Sequence, residues 1–187
     1  MQKKLIILDR DGVLNHDSDN YIKNPDEWLA IKGSAEAVAK LNQAGYMCVV
    51  ATNQSGIARE LYSLETFMQI NHKMLQTLKE SDASLEFVLF CPHHPDDNCE
   101  CRKPKSGMLL EILSRLRMEP DEVYFVGDTL GDIQAANNAN IKPILVRTGK
   151  GEKTLETKHV DLKTVAIYDS LADFTDQLLA EKLPEEE

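Results

Sequence analysis

The sequence predicts an α/β protein built on a doubly wound, mostly parallel sheet. Three observations predict it. Short, nearly uninterrupted apolar runs recur at Leu5–Leu8, Tyr46–Ala51, Glu86–Phe90, Val123–Val126, Pro143–Val146 and Thr164–Tyr168. The first two, apolar throughout rather than alternating, mark strands buried on both faces. Stretches with helical spacing separate most of the runs, and strand–helix alternation calls for right-handed crossovers and a parallel sheet.

Each element has its own signal. Leu5–Leu8 opens the chain and runs directly into Asp9-Arg10-Asp11-Gly12. Asn15 to Ile31 is polar and contains Asn24-Pro25-Asp26, so it reads as a functional loop. Ser34 is the expected N-cap of a first helix that ends before Gly45. The strand Tyr46–Ala51 encloses Cys48, a small apolar core residue, and leads into Thr52-Asn53-Gln54-Ser55-Gly56. Ser63 caps a helix whose Phe67, Ile70, Met74 and Leu78 keep helical spacing as core positions. After Glu86–Phe90 comes a dense loop, Cys91 to Lys105, and then a helix from Ser106 with Leu109, Leu113 and Leu116 inward. Val123–Val126 ends in Gly127-Asp128 and is followed by a short Ala-rich helix. Pro143–Val146, Thr164–Tyr168 and an amphipathic helix Ser170–Lys182 complete a single domain over 1–183, with Pro184–Glu187 expected as a disordered tail.

Composition sets limits. A chain of 187 residues, 42% apolar, is long enough for one sizeable core. The formal net charge of −10 argues against a general nucleic-acid binder while leaving room for a local basic pocket. No apolar run reaches the length of a membrane span, and the stretch after Met-Gln-Lys-Lys is too short for a signal peptide, so a cytoplasmic protein is expected. Three of the four cysteines fall within eleven residues, which in a reducing compartment favours metal binding over disulfides.

The chemistry gathers at the strand ends. Asp9 and Asp11 repel each other, and their hard oxygens suit Mg²⁺; the alternative is a solvated Asp-Gly turn capping the strand. Thr52 and Asn53 follow the second strand, Arg102 and Lys103 lie in the loop beyond the third, and Asp128 and Asp132 follow the fourth. In a parallel sheet these tips share one edge. Carboxylates for a metal, a hydroxyl, an amide and two cations are the equipment of phosphoryl transfer. In the dense loop, Cys91-x-His93 and Cys99-x-Cys101 offer a closed structural zinc set, with His94 as an alternative ligand and a reduced thiol cluster as the alternative reading. Such a loop, stiffened by Pro92, Pro95 and Pro104, would hold Arg102 and Lys103 in place.

Asp9-Arg10-Asp11-Gly12-Val13, Thr52-Asn53, Lys103 and Gly127-Asp128-Thr129-Leu130-Gly131-Asp132 resemble the four motifs of the haloacid dehalogenase superfamily of phosphatases, over Leu5 to about Val146. Thr52 through Arg59, and Cys91-Pro92-His93-His94-Pro95 through Cys99-Glu100-Cys101-Arg102-Lys103-Pro104, are similar to a subgroup that shares a zinc loop. Its members remove the 7-phosphate of a heptose bisphosphate, in a lipopolysaccharide precursor pathway, or dephosphorylate histidinol phosphate. The resemblance implies a Rossmann-like fold and an aspartyl-phosphate intermediate, and between the first and second motifs, and between the second and third, there is room for helices but not for a large cap domain. Asp9 is then the nucleophile and Asp11 the general acid and base. Mg²⁺ is held by Asp9, the Asp11 backbone carbonyl and Asp128, with Asp132 orienting water or Lys103. Thr52, Asn53 and Lys103 contact the transferring phosphoryl group; Gln54, Ser55, Arg102 and Thr129 belong to the substrate site. Asp17 and Tyr21 reach the sugar, although the chain is one residue longer there than the family pattern. Arg59 has a surface salt-bridging role as its alternative. The pattern favours His93 for zinc. A small phosphorylated sugar is the implied partner of a monomeric enzyme, with no nucleic acid or membrane. Histidinol phosphate remains open because Asp17, Asp19, Asp26 and Glu27 make the first loop acidic enough to suit an amine. A polynucleotide 3′-phosphatase is disfavoured by the charge, and a non-catalytic phospho-ligand binder is the reading from another class.

Overall fold

The structure, a computed structural model, describes residues 4–120 and 123–181. The expected tail and the last residue of the closing helix, Lys182, lie outside them. Among the described residues six strands form one sheet: β1 (Lys4–Leu8), β2 (Tyr46–Asn53), β3 (Phe87–Cys91), β4 (Val123–Gly127), β5 (Lys142–Val146) and β6 (Ala166–Tyr168). Every pairing is parallel, in the order β3-β2-β1-β4-β5-β6. The chain moves outward from β1 on one side and from β4 on the other, so the strand order reverses between them. A crevice beyond the C-terminal ends of β1 and β4 follows from that topology.

Both faces are covered. Ile6, Leu8, Val50, Val126 and Ile144 pack under α1 (Ser34–Gln43), α2 (Leu64–Glu80) and α6 (Leu171–Ala180), through Val38, Leu41, Ile70, Met74 and Phe174. Leu5, Ile7, Val49, Ala51 and Phe125 face α3 (Gly107–Leu116) and α4 (Leu130–Asn138), through Leu109, Ile112, Ala135 and Ala136. Leu5, Ile6, Ile7 and Leu8 are all fully buried. At about 1.5–3 kcal/mol for each such side chain, β1 is a rigid base for the acidic residues at its tip.

Cap chemistry departs from expectation at Ser34. Ser63 and Ser170 cap α2 and α6 through their hydroxyls. Ser34, expected as an N-cap, lies inside α1, and Gly33 caps it at φ +83°. The Ser34 hydroxyl instead donates to Leu14 O at 2.8 Å, tying α1 to the loop after β1. Ser106 caps α3 by position without a side-chain bond. Sequence periodicity also missed α5 (Gly151–Glu156), a six-residue helix after β5. Between β1 and α1 the chain is loop apart from a short 3₁₀ turn, Pro25–Glu27, and between β2 and β3 it forms α2, so among the described residues no cap domain covers the crevice.

Candidate active site

The tip of β1 carries Asp9, Arg10 and Asp11. Asp9 Oδ1 accepts from its neighbour's backbone, Arg10 N, at 2.7 Å, and Asp9 Oδ2 pairs with Lys103 Nζ at 2.8 Å. Lys103 is only 5% exposed. Its ammonium also meets Asp132 Oδ1 at 2.7 Å and donates to Ala51 O at 2.9 Å. Burial opposes the charge on Lys103, but Asp132 and Asp9 outweigh it and hold the lysine well above its ordinary pKa. Asp9 is pushed up to about 7, by burial first and by Asp132 and Asp11 after it, against the pull of Lys103.

β4 delivers Asp128, which is pushed up to about 8 by burial and by the charges of Asp132 and Asp9. Asp128 Oδ2 accepts from Lys150 N at 2.7 Å, and Thr154 Oγ1 of α5 donates to the Asp128 carbonyl at 2.8 Å. Two glycines admit this carboxylate. A Cβ on Gly12 (φ +84°) would lie 2.1 Å from Asp128 Oδ2, and one on Gly149 (φ +60°) 2.2 Å from it. Asp128 Oδ1 is buried without a hydrogen-bond partner among the described residues. Carboxylate oxygens of Asp9, Asp128 and Asp132 lie within 4.8 Å of one another. Hard oxygens in a buried cluster, one of them unsatisfied, fit Mg²⁺. Asp132 is engaged elsewhere: its Oδ1 faces Lys103, and its Oδ2 accepts from Thr129 N and Oγ1 at 3.0 and 2.6 Å.

Asp11 is set differently from Asp9. Burial alone would raise its pKa, but the Arg10 guanidinium and hydrogen bonds from Asn15, Arg10 and Gln54 outweigh burial and hold it below the usual carboxylate range. Arg10 Nη2 spans both Asp11 oxygens at 3.0 Å, and Asn15 Nδ2 donates to Oδ1 at 2.9 Å.

The dense loop brings its sulfur and nitrogen ligands together. Cys91, His93, Cys99 and Cys101 place Cys91 Sγ and His93 Nδ1 at 3.6 Å, Cys91 and Cys99 Sγ at 3.6 Å, His93 Nδ1 and Cys101 Sγ at 3.2 Å, and Cys101 and Cys99 Sγ at 3.5 Å. A tetrahedron with bonds of about 2.0–2.3 Å has edges of roughly 3.3–3.8 Å, so this set fits zinc. His94 is used otherwise, since its Nδ1 caps the 3₁₀ turn Pro95–Asp97.

The cleft at this edge has a volume of about 430 Å³ and is lined by Asp9, Asp11, Thr52, Arg102, Lys103 and Asp128 among others. Asp17, Tyr21, Asn53, Gln54, Ser55, Thr129 and Asp132 line it as well, so the structure brings these expected site residues together. Several have their polar groups already occupied. Asn53 clamps the backbone of Lys103, donating to its carbonyl at 3.1 Å and accepting from its N–H at 3.2 Å. Gln54 bonds Asp11, Thr52, Arg10 and Tyr62. Asp17 pairs with Lys150 Nζ at 2.9 Å. Arg102 Nη1, by contrast, is buried with no hydrogen-bond partner among the described residues. Arg59 is exposed, away from the cleft lining.

Sequence reasoning missed Arg10, Asn15, Tyr62 and Lys150. Lys150 had a usable signal, because Thr148-Gly149-Lys150 follows the fifth apolar run as Asp128 follows the fourth. The other three are recognisable only from contacts made in the folded chain.

The HAD-hydrolase-like family model matches residues 100–174. A D-glycero-beta-D-manno-heptose-1,7-bisphosphate 7-phosphatase from Pseudomonas putida is 47% identical over 176 residues, covering 94% of this chain and 99% of that protein. A protein of the same name from Neisseria meningitidis serogroup A is 44% identical over 179 residues, covering 95% and 96%. The crystal structure of D,D-heptose 1,7-bisphosphate phosphatase from B. bronchiseptica, complexed with magnesium and phosphate, matches with a TM-score of 0.92 at 46% identity, covering 95% of this chain and 99% of that one. With identities at this level along nearly the whole chain, the protein belongs to the D-glycero-beta-D-manno-heptose-1,7-bisphosphate 7-phosphatase family of haloacid dehalogenase-like hydrolases.

Proposed function

We propose that this phosphatase removes the 7-phosphate of D-glycero-β-D-manno-heptose 1,7-bisphosphate through an aspartyl-phosphate on Asp9. The observation that carries the mechanism is the line Asp9–Lys103–Asp132, with a buried ammonium between two carboxylates at 2.8 and 2.7 Å. Lys103 fixes one Asp9 oxygen and presents positive charge where the phosphoryl group arrives. In the first half-reaction an Asp9 oxygen bonds phosphorus as the bond to the sugar oxygen breaks, and the electron pair left on that oxygen takes a proton from Asp11. In the second, water gives a proton back to Asp11 as its oxygen bonds phosphorus, and the Asp9–phosphorus link breaks to release phosphate. The dianionic phosphate beside Asp11 opposes its ionised form and so favours proton uptake on binding.

Asp9, Asp128 and the Asp11 backbone carbonyl would hold Mg²⁺, which neutralises charge between the phosphate and the carboxylates. Cys91, His93, Cys99 and Cys101 would hold a structural zinc, since four protein ligands close its coordination. Thr52 is the hydroxyl facing the phosphoryl group, and Arg102, with an unsatisfied guanidinium nitrogen, is the donor for substrate oxygens beyond it. Ser55, Tyr21 and Thr129 line the sugar side.

Histidinol phosphate fits less well. The acidic loop that would suit its amine is balanced by lysines: Asp17 pairs with Lys150, and Asp19 lies 3.7 Å from Lys150 and 3.9 Å from Lys153. Among the described residues no helix is long and apolar enough to cross a membrane. The testing experiment is kcat/KM at equal Mg²⁺ for both anomers of the heptose bisphosphate and for histidinol phosphate. The β-bisphosphate should lead by at least about tenfold, about 1.4 kcal/mol of transition-state preference. A lead for histidinol phosphate would overturn the substrate assignment.

A further inference from the structure

Gln54 faces the cleft yet has nothing left to give a substrate. A primary amide has two N–H donors and two carbonyl lone pairs. Gln54 Nε2 donates to Asp11 Oδ2 at 2.9 Å and to Thr52 Oγ1 at 2.9 Å. Gln54 Oε1 accepts from Tyr62 OH at 2.7 Å and from Arg10 Nη2 at 3.2 Å. The residue is 3% exposed, Tyr62 7% and Arg10 1%.

The orientation of this amide is fixed by its neighbours. A guanidinium can only donate and an ionised carboxylate can only accept, so the flipped amide would set donor against donor at Arg10 and acceptor against acceptor at Asp11. Tyr62 therefore donates. Its place is built into the backbone: a Cβ on Gly56 would lie 2.2 Å from a Tyr62 ring carbon. The glycine of Thr52-Asn53-Gln54-Ser55-Gly56 makes room for the ring whose hydroxyl anchors the glutamine.

We propose that Tyr62 and Gln54 are positioning residues that hold the Asp11 carboxylate in the orientation for proton transfer. The proposal rests on the reading of Asp11 as the group that protonates the leaving sugar oxygen. Arg10 grips Asp11 from one side and Asn15 from another. Gln54 is the contact that comes from β2's end of the cleft, and with Arg10 Nη2 it holds Oδ2. Without it Oδ2 keeps the Arg10 contact alone, and part of the advantage of a prealigned proton donor is lost.

A leaving group that needs no proton separates this role from a structural one. Tyr62→Phe keeps the ring and removes the hydroxyl; Gln54→Leu removes the amide. Acyl-phosphate formation is followed in single turnovers with the heptose bisphosphate and with p-nitrophenyl phosphate, whose leaving group departs unprotonated. Tyr62→Phe should slow the sugar reaction about tenfold and Gln54→Leu up to about 100-fold, part of the effect of a general acid. KM should be little changed, and p-nitrophenolate release should fall less than threefold. The double variant should be no slower than Gln54→Leu alone, because both act through one contact. Equal losses on both substrates would overturn the proposal, as would a raised KM with kcat intact, which would return Gln54 to the substrate. Asp11→Asn, run beside them, separates the two levels. If it discriminates between the leaving groups and the Tyr62 and Gln54 variants do not, only the positioning role fails; if it does not discriminate, the reading of Asp11 fails with it.

Discussion

Asp9, the proposed nucleophile, weakens the fold around it. Its carboxyl is raised from 3.8 to about 7, by burial first, despite the ammonium of Lys103. A folded-state pKa above the unfolded one means that the unfolded chain gives up its proton first as pH rises. Stability from this group is thus full below about pH 4 and is lost as pH climbs through 7. Asp9→Asn removes the charge and the proposed nucleophile together. The expected outcome is loss of turnover with, in metal-free protein at pH 8, a melting temperature equal to or above that of the parent. Calorimetry beside a phosphate-release assay checks both halves, and a marked drop in melting temperature would contradict the electrostatic account. The pairing of Asp9 with Asp11 was legible in the sequence because both follow an apolar run directly. The opposite directions of their pKa shifts were not, since they depend on Arg10, Asn15 and Gln54 meeting at Asp11.

At the scale of elements, most of the framework could be read from apolar runs, because buried strands need continuous hydrophobicity, and Ser63 and Ser170 marked the starts of α2 and α6. α5 escaped because Gly151–Glu156 has one large apolar residue, Leu155, and so no period to detect. It matters all the same, since Thr154 and the turn before it hold Asp128. The cysteine loop was legible as a ligand set from spacing. Its coupling to the site was only half legible. Adjacency showed that Cys101 precedes Arg102 and Lys103, whereas the clamp of Asn53 on the Lys103 backbone required the fold. Cys99→Ser should therefore release the proposed zinc and, through Lys103, lower kcat by about tenfold or more, as expected when a positioned charge is loosened. Elemental analysis and steady-state kinetics on the same preparation check this. Absence of stoichiometric zinc from the parent protein, or unchanged kinetics in the variant, would count against the coupling.

For the whole molecule, the net charge of −10 sits beside a cleft where Arg102, Lys103 and Lys150 gather. The cations are local because the strand order reverses between β1 and β4, and every strand tip near that point contributes to one edge. The two buried carboxylates there, Asp9 at about 7 and Asp128 at about 8, take up protons below those values, and a divalent cation held by them as proposed must displace those protons. Mg²⁺ binding should therefore release protons near neutral pH and weaken as pH falls below about 7. Titration calorimetry in buffers of different ionisation enthalpy measures that release, and binding that shows no pH dependence between 6 and 8 would place the cation elsewhere.

As proposed, the strand tips serve one nucleophile, Asp9. Acid quenching within the first turnover, borohydride reduction and mass spectrometry of the peptide carrying residue 9 test it directly. The expected result is an acyl-phosphate at Asp9, read as its reduction product, homoserine, forming at least as fast as product appears and absent in Asp9→Asn. Product formed at full rate with no phosphorylated chain, or with the phosphate on another residue, would contradict it.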